Sequence, residues 1–178
     1  MSIHSLYTGV SLCGKTTLAR ANARALANRG HSGAVYDSMG TGTKGGGWPE
    51  NWRVFSDPDE FMAFVESEEC RHMHLFIDEA HEILGHGMNE NYWLLTKGRH
   101  FGLILHLMTQ RPNKLHPDVR SQCGICFMFR LALDDAYEIG RDYGHSEIHK
   151  ISLDTGDFMM LKSGSSAIRR ANVFNLIP

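Results

Sequence analysis

A glycine-bounded turn near the amino terminus constrains the fold of this chain more than any other feature. The segment from Gly9 to Thr16, Gly-Val-Ser-Leu-Cys-Gly-Lys-Thr, fits the GxxxxGK[ST] pattern at every fixed position. An apolar run over residues 3–7 precedes the turn, and a stretch rich in Ala, Leu and Arg over residues 15–28, closed by Gly30, follows it. A strand, a glycine turn and a helix in this order are the context in which the pattern binds phosphate.

The residue types in this turn explain how it would hold a nucleoside triphosphate. Glycines let successive backbone N–H groups turn toward a phosphate, and the positive end of the following helix faces the same anion. Lys15 would be the cation for the β- and γ-phosphates, and the hydroxyl of Thr16 would be a ligand of Mg²⁺. The sequence therefore predicts ATP and Mg²⁺ as cofactors. The predicted nucleotide-binding residues are Gly9, Val10, Ser11, Leu12, Cys13, Gly14, Lys15, Thr16 and Thr17.

Short apolar runs alternate with helical patterns along the chain, which is typical of a parallel α/β sheet. The predicted strands cover residues 3–7, 33–36, 72–77, 102–108, 124–131, 158–161 and 168–174, and the last two form a hairpin. The predicted helices cover residues 15–28, 58–68 with Asp57 as N-cap, 89–97 and 134–142, and a glycine-rich mobile loop is expected at 39–49. The predicted fold class is α/β, a mostly parallel sheet flanked by helices with a late antiparallel hairpin, in one domain over 1–178.

Two adjacent acids follow the apolar run over residues 72–77. Ligands collect at the carboxyl ends of strands in open α/β sheets, so Asp78 is expected beside Thr16, where it would hold the water shell of the metal. Glu79 is expected to polarise a water for in-line attack on the γ-phosphate. An acidic pair alone is a weak signal, because a helix N-cap explains it equally well, but the upstream turn favours catalysis. His81 is expected to make local hydrogen bonds.

A third strand end also carries polar groups. The apolar run over residues 102–108 leads into Thr109-Gln-Arg-Pro112. If this strand lies beside that of Asp78, Gln110 or Thr109 would reach the γ-phosphate or the attacking water, and Gln110 is the favoured candidate. The alternative is ordinary turn chemistry before a proline.

Charge that develops on the transferred phosphoryl group usually needs a further cation, often an arginine of a neighbouring subunit. Arg99 is the favoured candidate, and Arg111 is the other. The predicted catalytic residues are Lys15, Glu79, Gln110 and Arg99, and the predicted metal ligands are Thr16 and Asp78.

Composition argues against a disordered, fibrous or membrane-spanning protein. The chain has 178 residues, of which 42% are hydrophobic and 21% charged, and its formal charge of −2 gives no global signature of nucleic-acid binding. The four cysteines form no regular framework, so reduced thiols and a cytoplasmic location are expected. Cys123 and Cys126 form a lone CxxC inside an apolar run, which favours a buried strand over a metal site. No apolar run has the length of a membrane helix, and no signal peptide is expected at the amino terminus.

The motifs after the glycine turn resemble those of the FtsK/HerA group of P-loop DNA-pumping ATPases. Asp78-Glu-Ala-His81 is followed by Lys97-Gly-Arg-His-Phe-Gly, similar to a glycine-arginine-aromatic-glycine stretch of that group, and by a strand ending in Thr-Gln-Arg-Pro. Gly156-Asp-Phe-Met-Met-Leu161 resembles a late strand of the same group. The resemblance covers residues 5 to about 174, and Thr-Gln-Arg-Pro is its most discriminating part.

The resemblance implies a RecA-like core with an extra strand between the strand of the glycine turn and that of Asp78. It also implies a ring, commonly a hexamer, with ATP at the subunit borders and double-stranded DNA in the pore. Compact members include viral genome-packaging ATPases and zonula-occludens-toxin-like phage assembly proteins. Packaging is favoured because the membrane segment of the latter is missing. Such a protein would work in the host cytoplasm or at the virion, with a capsid or membrane portal protein as partner.

Some functional alternatives stay open at the level of sequence. Lys44 in the glycine-rich loop, or Asn113 and Lys114, are the candidate DNA contacts, and no winged helix for sequence-directed loading is expected. A small-substrate P-loop kinase would not need Glu79 beside the metal aspartate. A nucleotide-switched assembly protein would bind ATP but turn it over slowly.

Overall fold

A computed structural model describes residues 4–40, 47–85 and 90–176 of the chain. Within these ranges the strands are β1 (His4–Thr8), β2 (Gly33–Tyr36), β3 (Arg53–Phe55), β4 (His74–Ile77), β5 (Ile104–Thr109), β6 (Cys123–Met128), β7 (Asp157–Lys162) and β8 (Arg169–Asn172). The α-helices are α1 (Lys15–Asn28), α2 (Pro58–Glu66), α3 (His81–Leu84), α4 (Trp93–Thr96), α5 (Pro117–Ser121) and α6 (Leu133–Tyr143). Short 3₁₀ helices occupy Glu90–Tyr92, Gly98–Phe101, Pro112–Lys114, Ile148–Lys150 and Val173–Asn175.

All the strands belong to one sheet, in the order β3-β2-β4-β5-β1-β6-β7-β8. The pairs from β3 across to β6 are parallel, whereas β7 runs antiparallel to β6 and β8 antiparallel to β7. The predicted fold class is therefore confirmed, including the antiparallel hairpin at the end. The strand β5 lies between β1 and β4, which confirms the extra strand of a RecA-like core.

Apolar side chains cover both faces of the sheet. On one face, Leu18, Ala19 and Ala23 of α1 pack with the indoles of Trp48 and Trp52. The other face holds a larger cluster to which α2 through α6 contribute. The two layers leave one edge of the sheet, at the carboxyl ends of the parallel strands, for the site described below.

Local sequence patterns predicted some element boundaries correctly and others wrongly. Asp57 caps α2 as predicted, because its Oδ1 accepts from the N–H groups of Asp59 and Glu60, both at 2.9 Å. The helix ends earlier than predicted because Ser67 is extended, with φ −71° and ψ 160°. Similarly, β4 begins after His72, whose φ is +53°.

The predicted helix over residues 89–97 was wrong as a continuous element. The chain forms a 3₁₀ turn at Glu90–Tyr92 and then the single-turn helix α4, while residue 89 lies outside the described ranges. Much of the predicted glycine-rich loop, residues 41–46, also lies outside them. The helix α5 was not predicted.

The cysteines of the described residues are buried free thiols. Cys123 and Cys126 lie on β6, as the apolar pattern predicted, and burial raises the pKa of the Cys123 thiol to about 12. Among the described residues, no helix has the length and apolar character that a membrane span requires.

Candidate active site

The candidate active site is a cleft of about 650 Å³ at the carboxyl edge of the sheet. It lies where β1, β4 and β5 end, between the glycine turn and the acidic pair. The sequence-predicted residues that line it are Ser11, Leu12, Lys15, Thr16, Asp78, Glu79, Gln110 and Arg111. Segments that are 30 to 100 residues apart in the sequence therefore meet in one place.

Backbone contacts anchor the glycine turn to its neighbouring strands. The N–H of Gly9 donates to the carbonyl of Thr109 at 3.3 Å, and the N–H of Val10 donates to the carbonyl of Arg130 at 2.9 Å. A Cβ on Gly9 would lie 2.6 Å from the Cβ of Phe129. Only glycine fits so close to a neighbouring strand, so the first fixed glycine of the motif has a steric cause.

The second fixed glycine begins the helix. Gly14 is the N-cap of α1 and has φ +109°, a conformation that side chains rarely adopt. It has no side chain with which to cap α1, so the first N–H groups of the helix remain for an anion. Lys15 follows as the first helical residue and is 6% exposed, and its side chain lines the cleft with that of Thr16.

The strand β4 delivers the two acids to the cleft. Burial raises the pKa of the Asp78 carboxyl, and the nearby charges of Glu79 and Asp37 raise it further, whereas Lys15 lowers it. Glu79 has a backbone φ of +43°, which is uncommon for a residue with a side chain. Strained backbone of this kind tends to occur at functional sites, where it aims a side chain.

A chain of side-chain contacts joins the glycine turn to Glu79. The hydroxyl of Ser11 donates to Gln110 Oε1 at 2.8 Å, and Gln110 Nε2 donates to Glu79 Oε1 at 2.6 Å. The other carboxylate oxygen of Glu79 lies 3.4 Å from His81 Nδ1. The amide of Gln110 therefore connects the glycine turn with the carboxylate.

Two sequence candidates do not reach the cleft of their own chain. The hydroxyl of Thr109 is used in the turn, where it donates to the carbonyl of Arg111 at 3.1 Å. Arg99 lies in the 3₁₀ helix just before β5, at the amino edge of the sheet, whereas the cleft is at the carboxyl edge. Arg111 does line the cleft, with its Nε 3.9 Å from Asp135 Oδ2.

Sequence reasoning missed part of the cleft. Arg20 of α1 and Ser38 and Met39 after β2 line it, as does Glu82. In the sequence, the clue to this side of the cleft is Asp37, an acid directly after a strand. In the structure Asp37 is buried, and its Oδ2 lies 3.4 Å from Arg20 Nη2. Of the candidate DNA contacts, Lys114 lies at the cleft and Lys44 outside the described residues.

No protein-family model and no curated protein matches the sequence. Among solved structures, the genome packaging NTPase B204 of Sulfolobus turreted icosahedral virus 2, in complex with AMPPCP, has a TM-score of 0.78 at 21% identity over 95% of this chain and 96% of that chain. The pCW3 conjugation coupling protein TcpA has a TM-score of 0.76 at 16% identity, over 97% of this chain and 61% of that chain. The N-terminal domain of zonular occludens toxin from Neisseria meningitidis has a TM-score of 0.60 at 16% identity, over 98% of both chains. These structures confirm the resemblance at the level of the fold: the chain shares its fold with a genome packaging NTPase, a conjugation coupling protein and a zonular occludens toxin domain.

Proposed function

We propose that this chain is a magnesium-dependent ATPase that drives the translocation of double-stranded DNA in viral genome packaging, as a ring of identical subunits. The observation that carries the proposal is the meeting of Lys15, Asp78, Glu79 and Gln110 in one cleft. The likeness of fold to a genome packaging NTPase, over 95% of this chain, supports the packaging role.

The residues of the cleft suit a triphosphate with a divalent ion. The backbone of the glycine turn and Lys15 would bind the β- and γ-phosphates. Thr16 and Asp78 both bring oxygen atoms to the cleft, and Mg²⁺ prefers oxygen ligands from one or two side chains together with phosphates and water. Among the described residues, no cluster of three His, Cys, Asp or Glu side chains forms a metal site by itself, which is consistent with that shared mode. When bound, the ion supplies charge neutralisation of the phosphate oxygens.

In the proposed reaction, Glu79 activates the attacking water. It accepts the proton of the water while the oxygen bonds to the γ-phosphorus and the bond to the β-phosphate oxygen breaks, which releases ADP. Gln110 would hold the carboxylate at the distance already present, 2.6 Å between its Nε2 and Glu79 Oε1. His81 would contact the second oxygen of the same carboxylate.

The position of Arg99 is one reason to propose a ring. It lies at the amino edge of the sheet, whereas the cleft of its own chain lies at the opposite, carboxyl edge. As the trans cation, it would enter the site of a neighbouring subunit. A hexamer, DNA contact near Asn113 and Lys114, and a capsid or portal partner belong to the same proposal.

Two other functions are less well supported. The zonular occludens toxin domain has a TM-score of 0.60 against 0.78 for the packaging NTPase, so the assembly-protein alternative is not favoured. Against a small-substrate kinase, the contact of Gln110 with Glu79 suits the activation of water.

Substitution of the general base tests the chemistry. We expect Glu79→Gln to bind ATP with unchanged affinity and to lose at least about 100-fold in turnover, the usual contribution of a general base. Glu82→Gln is a matched control, since Glu82 lies in the same cleft but its Oε2 accepts from the hydroxyl of Tyr36 at 2.6 Å. Steady-state phosphate release and equilibrium ATP binding are the measurements. Wild-type turnover in Glu79→Gln would remove Glu79 from the mechanism.

The same phosphate-release assay tests the proposed translocation of double-stranded DNA. Double-stranded DNA should stimulate the turnover of the wild-type protein, and size-exclusion chromatography with ATP present should show an oligomer. Phosphorylation of a metabolite would support the kinase alternative. Tight ATP binding with negligible turnover, even with DNA, would support the assembly protein.

A further inference from the structure

The strand order fixes the direction in which a nucleotide would lie on the glycine turn. The strands β5 and β4, whose carboxyl ends lead into Gln110 and Glu79, lie on one side of β1, and β6, β7 and β8 lie on the other. If the proposed function holds, the γ-phosphate lies beside Glu79. The ribose and base then extend toward the side of β7 and β8.

The chain segments that flank the hairpin form the wall of the turn on that side. The N–H of Gly156, just before β7, donates to the carbonyl of Cys13 at 3.0 Å. A Cβ on Gly14 would lie 3.0 Å from Val173 Cγ1 and 3.5 Å from Gly156 Cα. The glycine turn is thus in direct contact with residues that come about 140 to 160 positions later in the sequence.

An exposed aromatic ring stands on this wall. Phe174 is 58% exposed, and a Cβ on Gly156 would lie only 2.5 Å from its ring, so glycine leaves the space in which the ring packs. Its backbone is held as well, because its N–H donates to Asn172 Oδ1 at 2.9 Å. Asn172 Nδ2 in turn donates to Asp157 Oδ1 at 2.9 Å. One edge of the ring therefore packs against Gly156 while much of the ring faces solvent.

We propose that Phe174 is the stacking platform for the nucleobase of the bound triphosphate. This assignment rests on the proposed function, because it takes the turn at Gly14 and Lys15 as the phosphate site. A flat base can cover the exposed ring, and base–aromatic stacking stabilises binding with little dependence on which base is present. The side-chain amide of Asn172 is engaged within the wall, so it does not read the edge of the base. The site therefore takes nucleoside triphosphates as a class, without selecting one base.

Calorimetric titration of ATP and of inorganic tripolyphosphate, both with Mg²⁺, tests the assignment. Tripolyphosphate carries the phosphates but has no base. Phe174→Ala and Phe174→Leu should weaken ATP binding about tenfold and leave tripolyphosphate binding unchanged, whereas Phe174→Trp should bind ATP like the wild type. Tyr137→Ala is the matched control, because Tyr137 is an aromatic residue of similar exposure, 52%, on α6. Thermal unfolding without ligand verifies that each variant is folded.

The remaining outcomes separate this assignment from the proposed function. ATP affinity within twofold of wild type in Phe174→Ala would overturn the platform. An equal loss for ATP and tripolyphosphate would also overturn it, because the ring would then act through the shape of the turn. Equal binding of the two ligands by the wild type would overturn the platform and leave the phosphate site standing. A wild type that binds neither ligand, or a Lys15→Ala variant that binds both unchanged, would overturn the proposed function and the platform with it.

Discussion

Glu79 combines an uncommon backbone conformation with contacts on both of its carboxylate oxygens. Its φ is +43°, Gln110 donates to one oxygen at 2.6 Å, and His81 Nδ1 lies 3.4 Å from the other. Each contact restricts the rotation of a side chain that would otherwise sample several rotamers. At the scale of single residues, the cleft is thus arranged to hold one carboxylate in one direction.

Removing the amide should therefore affect the chemical step more than nucleotide binding. We expect Gln110→Ala to lower kcat by about 10- to 100-fold with little change in the Kd for ATP, because a misplaced base loses much of its effect. Ser11→Ala removes only the hydrogen bond that the Ser11 hydroxyl donates to Gln110 Oε1 at 2.8 Å, so it should lower kcat less than Gln110→Ala. Single-turnover hydrolysis and equilibrium binding are the measurements. A Gln110→Ala protein with wild-type kcat would show that Glu79 does not need this contact.

At the scale of elements, the short helix α5 joins the segment after β5 to α6 through one buried arginine. Arg120 is 2% exposed, and its Nε donates to Asp142 Oδ2 at 2.7 Å while its Nη2 lies 3.2 Å from Glu138 Oε2. Its Nη1 donates to the carbonyls of Pro112 and Leu115, at 3.1 and 2.8 Å. These bonds fix the turn that directly follows the polar end of β5.

Loss of this arginine should destabilise the protein strongly. Arg120→Met would remove the buried cation from Asp142 and Glu138 and a donor from the carbonyls of Pro112 and Leu115, which we expect to lower the free energy of unfolding by about 3 kcal/mol. Arg141→Met is the matched control, since Arg141 contacts the same Asp142 at 3.8 Å but is 61% exposed, and should cost less than about 1 kcal/mol. Urea unfolding measures both. Equal effects of the two substitutions would contradict the role assigned to Arg120.

At the scale of the whole molecule, buried histidines cross the centre of the sheet. Ser5 Oγ lies 2.8 Å from His106 Nδ1, and His106 Nε2 lies 2.9 Å from His74 Nδ1, which links β1, β5 and β4. Burial lowers the pKa of His74 to about 4, and burial also lowers the pKa of His106 well below its usual range, with the neighbouring His74 and His4 adding to it. These imidazoles are therefore neutral in the folded protein at neutral pH.

This network should make the fold sensitive to mild acid. Below pH ~6.5 the histidines take up protons in the unfolded state but not in the folded state, until the pH nears the folded pKa values. Stability is thus fully present above pH ~6.5 and falls with acidification, by roughly 1.4 kcal/mol per pH unit for each such histidine. Urea unfolding at pH 7.5 and 5.5 measures the change. His106→Gln should reduce this slope, because it removes one of the two buried imidazoles. A free energy of unfolding that is equal at both pH values would refute the expectation.

Features that depend on a few neighbouring residues were predictable from the sequence. The bounds of α1 and β2 agree with the predicted ranges 15–28 and 33–36, because Gly14 and Gly30 flank α1 while Gly33 begins β2 and Asp37 follows it. The cap at Asp57 is equally local. The continuous helix predicted over 89–97 was wrong because the chain breaks there into shorter turns that pack Leu94 and Leu95 into the core. Tertiary packing overrode the local pattern at that point.

By itself, the sequence determined that a glycine turn of the GxxxxGK[ST] pattern follows a strand and that polar residues end two other strands, because such patterns consist of consecutive residues. Only the tertiary structure decided the order of the strands, and with it which strand ends share the cleft. It placed Arg99 at the opposite edge, joined Ser5 to His106, and set Val173 beside the turn at Gly14. The physical reason is that these contacts join residues about 100 or more positions apart, and the burial of both faces of the sheet, not any local preference, selects them.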